Sequence, residues 1–76
     1  MNNNTQIELY NINYETDGCV VELPTKINTT LGQMECDFEW LKEIGIDNWM
    51  NECGADYISN QTGWLVDNFE FKIINN

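Results

Sequence analysis

Apolar positions between residues 46 and 63 recur with the period of an α-helix. The recurring residues, at spacings of i, i+1, i+4, i+8 and i+9, are Trp49, Met50, Cys53, Tyr57 and Ile58. This spacing places their side chains on one face of a helix. Asp47 can accept hydrogen bonds from the first turn as an N-cap, and residues 60–63 carry the signals that end a helix. We therefore predict a helix that starts at Asp47 and packs its apolar face on a sheet.

After Gly63 the hydrophobic pattern changes to the alternation of a β-strand. The apolar residues fall into two phases, first Trp64 and Val66 and then Phe69, Phe71 and Ile73. Asp67 and Asn68 lie where the phase changes, so we predict a bulge or a bend at this point of the strand.

The amino-terminal residues predict another strand with one irregularity. Its apolar residues are Ile7 and Leu9 in one phase, then Tyr10, Ile12 and Tyr14 in the other. A β-bulge near Leu9 or Tyr10 explains this change of phase.

An Asp-Gly pair at residues 17–18 predicts a tight hairpin turn, because such residues tolerate positive φ. The second strand would begin at Cys19 and include Val20 and Val21, whose branched side chains favour a pleated surface. Pro24 donates no backbone hydrogen bond, so it places this end of the strand at a sheet edge or at the strand's exit. Residues 25–33, which follow, are rich in threonine.

Residues 34–44 fit two structures. As a strand, apolar and acidic residues alternate in the order Met34, Glu35, Cys36, Asp37, Phe38, Glu39 and Trp40. As a helix, Asp37 is the N-cap and Gly45 is the C′ residue. The apolar positions of this helix, at i, i+3 and i+6, are Phe38, Leu41 and Ile44. The glycine at the end favours the helix, and the helix from Asp47 would then follow at an angle.

Together these elements predict an α+β fold made by one domain of residues 1–76. A small antiparallel sheet of three strands, or four if residues 34–40 are extended, packs on one or two short helices. The residues expected to pack together in the core are Trp49, Tyr57 and Ile58 on one side, and Val21, Phe69 and Phe71 on the other.

Charge is the most unusual feature of the composition. Thirteen carboxylates and three lysines, with no arginine or histidine, give the 76 residues a formal net charge of −10. This charge repels phosphates, which argues against direct binding to nucleic acid or to an anionic membrane. In one interpretation the acidity keeps a small protein soluble, and in the other it forms a docking surface for a basic partner. A chain this short has little interior for a large cavity, so a function at the surface is favoured.

Few residues suit catalysis or metal binding. Histidine and glycine-rich phosphate-binding motifs are absent from the sequence, so an enzyme is not predicted. Cys19, Cys36 and Cys53 form no CxxC motif, and we expect neither a metal site nor a cofactor. We interpret these cysteines as small core residues. The first residues lack the pattern of a signal peptide and no segment is apolar enough to span a membrane, so a cytoplasmic protein is expected.

The acidic residues in the middle of the chain are spaced regularly. If residues 34–44 are helical, four of them follow one another at i+4, and two more repeat this spacing in the next helix. These six candidates for partner binding are Glu35, Glu39, Glu43, Asp47, Glu52 and Asp56. If the segment is a strand, Glu35, Asp37 and Glu39 share one face. Such a row is either the solvated face of an amphipathic element or a surface that occupies a groove built for phosphates.

Residues 55–69, ADYISNQTGWLVDNF, resemble the C-terminal stretch of small proteins carried by phages and mobile elements. With its small size, acidity and many asparagines, the chain also resembles small phage proteins that inhibit host defence, including anti-CRISPR proteins, some of which mimic DNA. This resemblance implies an inhibitor that works inside the host cell, and it assigns a role to no single residue.

Two functions are consistent with these observations. The first is a non-enzymatic inhibitor that occupies a basic, nucleic-acid-binding groove of a host defence protein as a DNA mimic. A tryptophan at the rim of its surface would add an interface anchor. The alternative is a structural or accessory interaction module, for example a homodimer formed through an exposed sheet edge, in which acidity serves only solubility. Binding of the first kind should weaken steeply with ionic strength, whereas an apolar dimer should not.

Overall fold

The computed structural model describes residues 1–75, with only the backbone for Asn75, and has an α+β fold. Its strands are β1 (Gln6–Tyr14), β2 (Ile27–Thr30) and β3 (Val66–Asn75), and its helices are α1 (Phe38–Ile44) and α2 (Ile46–Thr62). The strands form one antiparallel sheet in the order β2-β1-β3. The predicted fold class is confirmed, with three strands in the described part of the chain.

The predicted turn at residues 17–18 forms, but no strand follows it directly. The two residues have φ angles of 51° and 82°. Val20 and Val21 are exposed and lie outside the core. The prediction of a strand from Cys19, with Val21 in the core, is therefore wrong. Branched residues favour a strand only where a core face can cover them.

β2 forms instead within the threonine-rich stretch. Ile27 pairs with Leu9, and Thr29 pairs with Ile7. The side chains of Ile27 and Thr29 lie on the same face of the sheet as the buried residues of β1, and Thr29 is 5% exposed. The return strand is thus displaced by eight residues from its predicted start at Cys19.

β1 and β3 pair with three irregularities, of which one is an extra residue of β3, Ile74, between the partners of Gln6 and Ile7. β1 has one extra residue between Tyr10 and Asn13, and β3 then has one extra residue, Asp67. Asn11, at the irregularity of β1, has a positive φ of 50°. Each extra residue reverses the side on which later side chains point. The predicted irregularities at Asp67 and near Tyr10 are both confirmed, and the one in β1 lies between Tyr10 and Asn13.

α1 confirms the helical interpretation of residues 34–44, although the helix is shorter than that segment. Asp37 is its N-cap, and the carboxylate accepts hydrogen bonds from the N–H groups of Glu39 and Trp40 at 3.1 and 3.3 Å. Gly45 is its C-cap. α2 ends as predicted at Gly63, which has a φ of 80° in the left-handed region.

The core lies between the sheet and the two helices. Its buried apolar residues, within residues 1–75, are Ile7, Leu9, Ile12, Leu31, Met34, Leu41, Trp49, Met50 and Ile58. Trp49 and Ile58 therefore occupy the core as predicted. Tyr57, Phe69 and Phe71 are half-buried around it.

Gly54 lies where α2 comes closest to β3. A β-carbon at this position would be 2.5 Å from Cζ of Phe69 and 3.1 Å from Sδ of Met50. The absence of a side chain thus sets the distance between the helix and the sheet. Neither helix within residues 1–75 is long and apolar enough to cross a membrane.

Candidate functional site

α1 presents two of the predicted carboxylates on its exposed side. Glu39 and Glu43 are both exposed and lie at i and i+4. At this spacing the β-carbons on a helix are about 5–6 Å apart. The carboxylate of Asp37 is engaged in the cap, so Glu39 and Glu43 form the acidic pair of α1.

Gly45 separates Asp47 from this pair. Its φ of 85° and ψ of 158° are not helical, so α1 ends there and α2 begins at Ile46. Asp47 lies in the first turn of α2, where the helix dipole favours a carboxylate. The residue in the N-cap position is Gly45, so the predicted cap at Asp47 is wrong. The predicted row also does not continue from Glu43 to Asp47 along one helix.

Glu35 lies outside both helices. It has a positive φ of 57° in the turn between β2 and α1. Its N–H donates to the carbonyl of Gly32 at 3.1 Å. The prediction that Glu35 lies one helical turn before Glu39 is therefore wrong. A positive φ is strained for a residue with a side chain, and here it directs the chain from β2 toward Asp37.

A surface groove of about 390 Å³ lies between this turn and α2, and both Glu35 and Asp56 line it. The other residues that line it are Gln33, Met34, Cys53, Tyr57, Asn60 and Gln61. Carboxylates accept hydrogen bonds, and side-chain amides both donate and accept them. The groove therefore suits a cationic group with several N–H donors, such as the guanidinium of an arginine.

A hydrogen-bond network fixes the two walls of the groove. The buried hydroxyl of Thr29 is 2.9 Å from the Tyr57 hydroxyl and 3.1 Å from Oε1 of Gln33. These contacts join β2, the turn after it, and α2. Since buried hydrogen bonds are costly to break, the groove is held by the fold.

Glu52 and Asp56 form a second acidic pair, one turn apart on the exposed side of α2. The structure thus brings together Glu39 with Glu43, Glu52 with Asp56, and Glu35 with Asp56, while Asp47 lies apart at the start of α2. Five of the six predicted residues are thus grouped on the acidic surface, Asp47 is not, and the single continuous row is not formed.

Charges are distributed unevenly between the two faces of the molecule. Residues 35–56, which we call the helical layer, contain seven carboxylates and one lysine, Lys42. The other lysines, Lys72 and Lys26, contact Glu8 at 3.1 and 3.8 Å. Glu8 lies on the opposite face of the sheet, because its neighbours in β1 point into the core. Both ion pairs found within residues 1–75 are therefore outside the helical layer.

Trp40 is an exposed aromatic residue within this acidic layer. It is 37% exposed, whereas Trp49 is 1% exposed and Trp64 is half-buried. The sequence could not assign Trp40, because the strand interpretation places it on the apolar face and the helical interpretation places it off the face of Phe38 and Leu41. The choice between helix and strand therefore decided its exposure.

The thiols beside the groove are poorly suited to nucleophilic chemistry. Burial raises the pKa of Cys53, and the carboxylates of Asp56 and Glu52 raise it further. Burial also raises the pKa of Cys36, as do Cys53 and Asp37. Because the thiolate is the reactive form, both thiols are weak nucleophiles at neutral pH. Within the described chain, no three acidic or thiol side chains are grouped to hold a metal ion.

Comparison with known proteins assigns the chain to no family. No protein-family model, curated protein or solved structure matches it. The resemblance of residues 55–69 to phage proteins therefore stays a prediction.

Proposed function

We propose that the chain is a small, non-enzymatic inhibitor that binds a basic, nucleic-acid-binding groove of a host defence protein. The observation that carries this proposal is the concentration of carboxylates in the helical layer, whose formal net charge is −6 against −4 for the rest of the chain. The helical layer holds seven carboxylates and one lysine, whereas Lys26 and Lys72 bind Glu8 on the other face. The resemblance of residues 55–69 to phage proteins implies that this action would take place inside an infected cell.

The acidic pairs supply what such a groove recognises. A protein that binds a duplex meets regularly spaced negative charges with its lysines and arginines. Glu39 with Glu43, and Glu52 with Asp56, present carboxylates at one-turn spacing on two helices. Because the helices are packed on the sheet, these charges are ordered before binding, and they can stand in for phosphates as a DNA mimic.

Two further features support a protein partner over a small ion. The groove beside Glu35 and Asp56 has the volume and the hydrogen-bonding groups to receive one arginine side chain. Trp40 adds an exposed aromatic ring to the same layer, and tryptophan is enriched among residues that dominate interface affinity.

The partner can be identified by affinity capture. The immobilised protein should retain a basic, nucleic-acid-binding protein from a lysate of the host cell. The affinity of that complex should then fall steeply as sodium chloride rises from about 0.05 M to about 0.5 M, since exposed charges are screened within about 10 Å at 0.1 M salt. Duplex DNA should compete with this protein for the basic groove of the partner.

A pair of charge-matched variants tests the site itself. The first changes Glu39, Glu43, Glu52 and Asp56 to glutamine or asparagine. The second makes the same kind of change outside the helical layer, at the exposed residues Glu15, Asp17, Glu22 and Asp67. Each variant removes four of the negative charges that contribute to the formal net charge of −10. We expect the dissociation constant to rise at least about fourfold for the first variant, since exposed ion pairs contribute about 0.2–1 kcal/mol each and four are lost.

The second variant should bind nearly as tightly as the parent. If both variants weaken binding equally, net charge rather than the helical layer is responsible. If neither weakens it, the proposed function is wrong and the acidic residues serve solubility.

A further inference from the structure

β3 forms a long edge of the sheet that nothing in the described chain covers. The order β2-β1-β3 places β3 at one edge, and β3 has ten residues whereas β2 has four. Within residues 1–75, the backbone hydrogen bonds between elements use β3 only in its pairing with β1. Alternate N–H and C=O groups of β3 therefore face outward, which is the arrangement that pairs with another strand.

The other edge of the sheet is protected. β2 is short, and the chain before it crosses the far half of β1. The N–H of Ile12 donates to the carbonyl of Thr25 at 3.2 Å, and the hydroxyl of Tyr14 donates to the carbonyl of Pro24 at 2.6 Å. Short strands and proline are devices that prevent pairing at an edge. β3 contains no proline and a single lysine, Lys72, and its two extra residues, Asp67 and Ile74, leave residues 68–73 without an interruption.

The exposed edge also leaves apolar surface uncovered. Phe69, Phe71 and Ile73 pack on the core but stay half-buried, and Ile74 is 50% exposed. A strand added beside β3 would cover the outward sides of these side chains, because directly opposed residues lie about 4.5–5.5 Å apart.

The charges on β3 indicate which strand fits. Tyr10 pairs with Glu70 and Glu8 pairs with Lys72, so Glu70 and Lys72 lie on the face of the sheet opposite Phe71. We propose that two copies of this chain pair antiparallel through β3, with Phe71 at the two-fold axis. Glu70 of each copy then lies directly opposite Lys72 of the second copy.

Neighbouring registers lack this complementarity. A two-fold axis at Glu70 would place two glutamates opposite each other, and an axis at Lys72 would place two lysines opposite each other. Like charges at opposed positions destabilise strand pairing. With the axis at Phe71, the two phenylalanines meet, and Phe69 lies opposite Ile73 of the second copy.

The local contacts hold both charges in place for this pairing. Oε2 of Glu70 accepts from Nδ2 of Asn11 at 2.6 Å, and Lys72 lies 3.1 Å from Glu8. In the dimer, Lys72 would lie between two carboxylates. The result is a continuous six-stranded sheet, with the helical layers of both copies on the same face, because the two-fold axis is perpendicular to the sheet.

Charge reversal on β3 tests the register. Sedimentation equilibrium of the purified protein, at about 0.15 M salt to limit repulsion between the two acidic chains, should show a monomer–dimer equilibrium. Glu70→Lys and Lys72→Glu should each raise the dimer dissociation constant at least about tenfold, since symmetry makes two like-charge pairs from one substitution. The double variant E70K/K72E restores opposite charges and should dimerise as the parent does.

Lys26→Glu is the matched control. It also removes a lysine from Glu8, but Lys26 lies beside β2 and away from the β3 edge, so dimerisation should be unchanged. Circular dichroism shows whether each variant is folded. A parent that is monomeric at millimolar concentration overturns the proposal, and so does a double variant that fails to dimerise while remaining folded. The protein is measured alone, so the result is independent of the proposed inhibitory function.

Discussion

At the scale of single residues, the absence of a side chain at Gly54 lets the ring of Phe69 lie against α2. A β-carbon on Gly54 would approach Cζ and Cε2 of Phe69 at 2.5 and 2.9 Å. Real β-carbons do not approach this closely, so the phenylalanine ring has to move if the glycine is replaced. Phe69 is half-buried, so the ring can move toward solvent, but it then loses contacts with the core.

We expect Gly54→Ala to destabilise the protein although alanine favours helices. Alanine gains about 0.5–1 kcal/mol over glycine within a helix, whereas overpacking costs about 1–3 kcal/mol. The free energy of unfolding in urea should therefore fall by about 1 kcal/mol.

The matched experiment repeats this substitution in the Phe69→Ala background. With the ring removed, Gly54→Ala should stabilise the protein by up to about 1 kcal/mol. If the substitution had the same effect in both backgrounds, the two residues would not be in contact.

At the scale of elements, α1 depends on its ends. It has seven residues, and helices shorter than about 12–15 residues are marginal in isolation. Leu41 anchors it in the core, and Asp37 satisfies two N–H groups of its first turn. α2, with 17 residues, has no comparable side-chain cap.

We therefore expect the loss of an aspartate to lower the free energy of unfolding by different amounts in the two helices. Asp37→Ala should lower the free energy of unfolding by about 0.5–2 kcal/mol, because it removes an N-cap. Asp47→Ala removes the same charge but only a favourable interaction with the helix dipole, and should cost no more than about 0.3–1 kcal/mol. Urea denaturation at about 0.15 M salt compares the two. A loss below about 0.5 kcal/mol for Asp37→Ala would contradict the assignment of Asp37 as the cap.

The elements that the sequence predicted correctly are those with long, regular hydrophobic patterns. α2 and β3 followed from periodicity, and the phase change at Asp67 even located a bulge. β2 was missed because its four residues are too few to show alternation. The valines at residues 20–21 gave a stronger strand signal, but they lie in the connection between β1 and β2, outside the sheet.

The composition of the acidic surface was predictable, but its arrangement was not. The sequence identified all six candidate carboxylates, and each of them is exposed. The end of α1 at Gly45, which separates Asp47 from the other residues, was predicted, whereas the positive φ that places Glu35 outside the helix was not. Backbone angles at single non-glycine residues leave no pattern in a sequence. The groove that joins Glu35 to Asp56 was therefore not predictable.

At the scale of the whole molecule, like-charge repulsion opposes the folded state. Thirteen carboxylates face three lysines, and two of those lysines are engaged by Glu8. We expect the melting temperature to rise as sodium chloride increases from about 0.01 M to about 1 M, since the screening length falls from about 30 Å to about 3 Å.

This dependence is opposite in sign to that expected for partner binding, which weakens with salt. Choline chloride, a salt with a bulky cation, should give the same rise if screening is the cause and less if sodium binds specifically. A melting temperature that falls with either salt would show that the ion pairs of Glu8 outweigh the repulsion.

The sheet order also determines when the chain can fold during its synthesis. β1 is made early and occupies the centre of the sheet, but its longer partner, β3, is made only after both helices. Translation adds about 5–20 residues per second. Ile7 and Leu9 therefore lack their partner strand β3 during most of the synthesis of residues 1–75. Pairing of β1 with β3 joins distant parts of the chain, which makes folding slower than in proteins with local contacts. A ribosome that stalls before residue 66 therefore holds an unfinished sheet, and the nascent chain completes its fold only once the last strand has emerged.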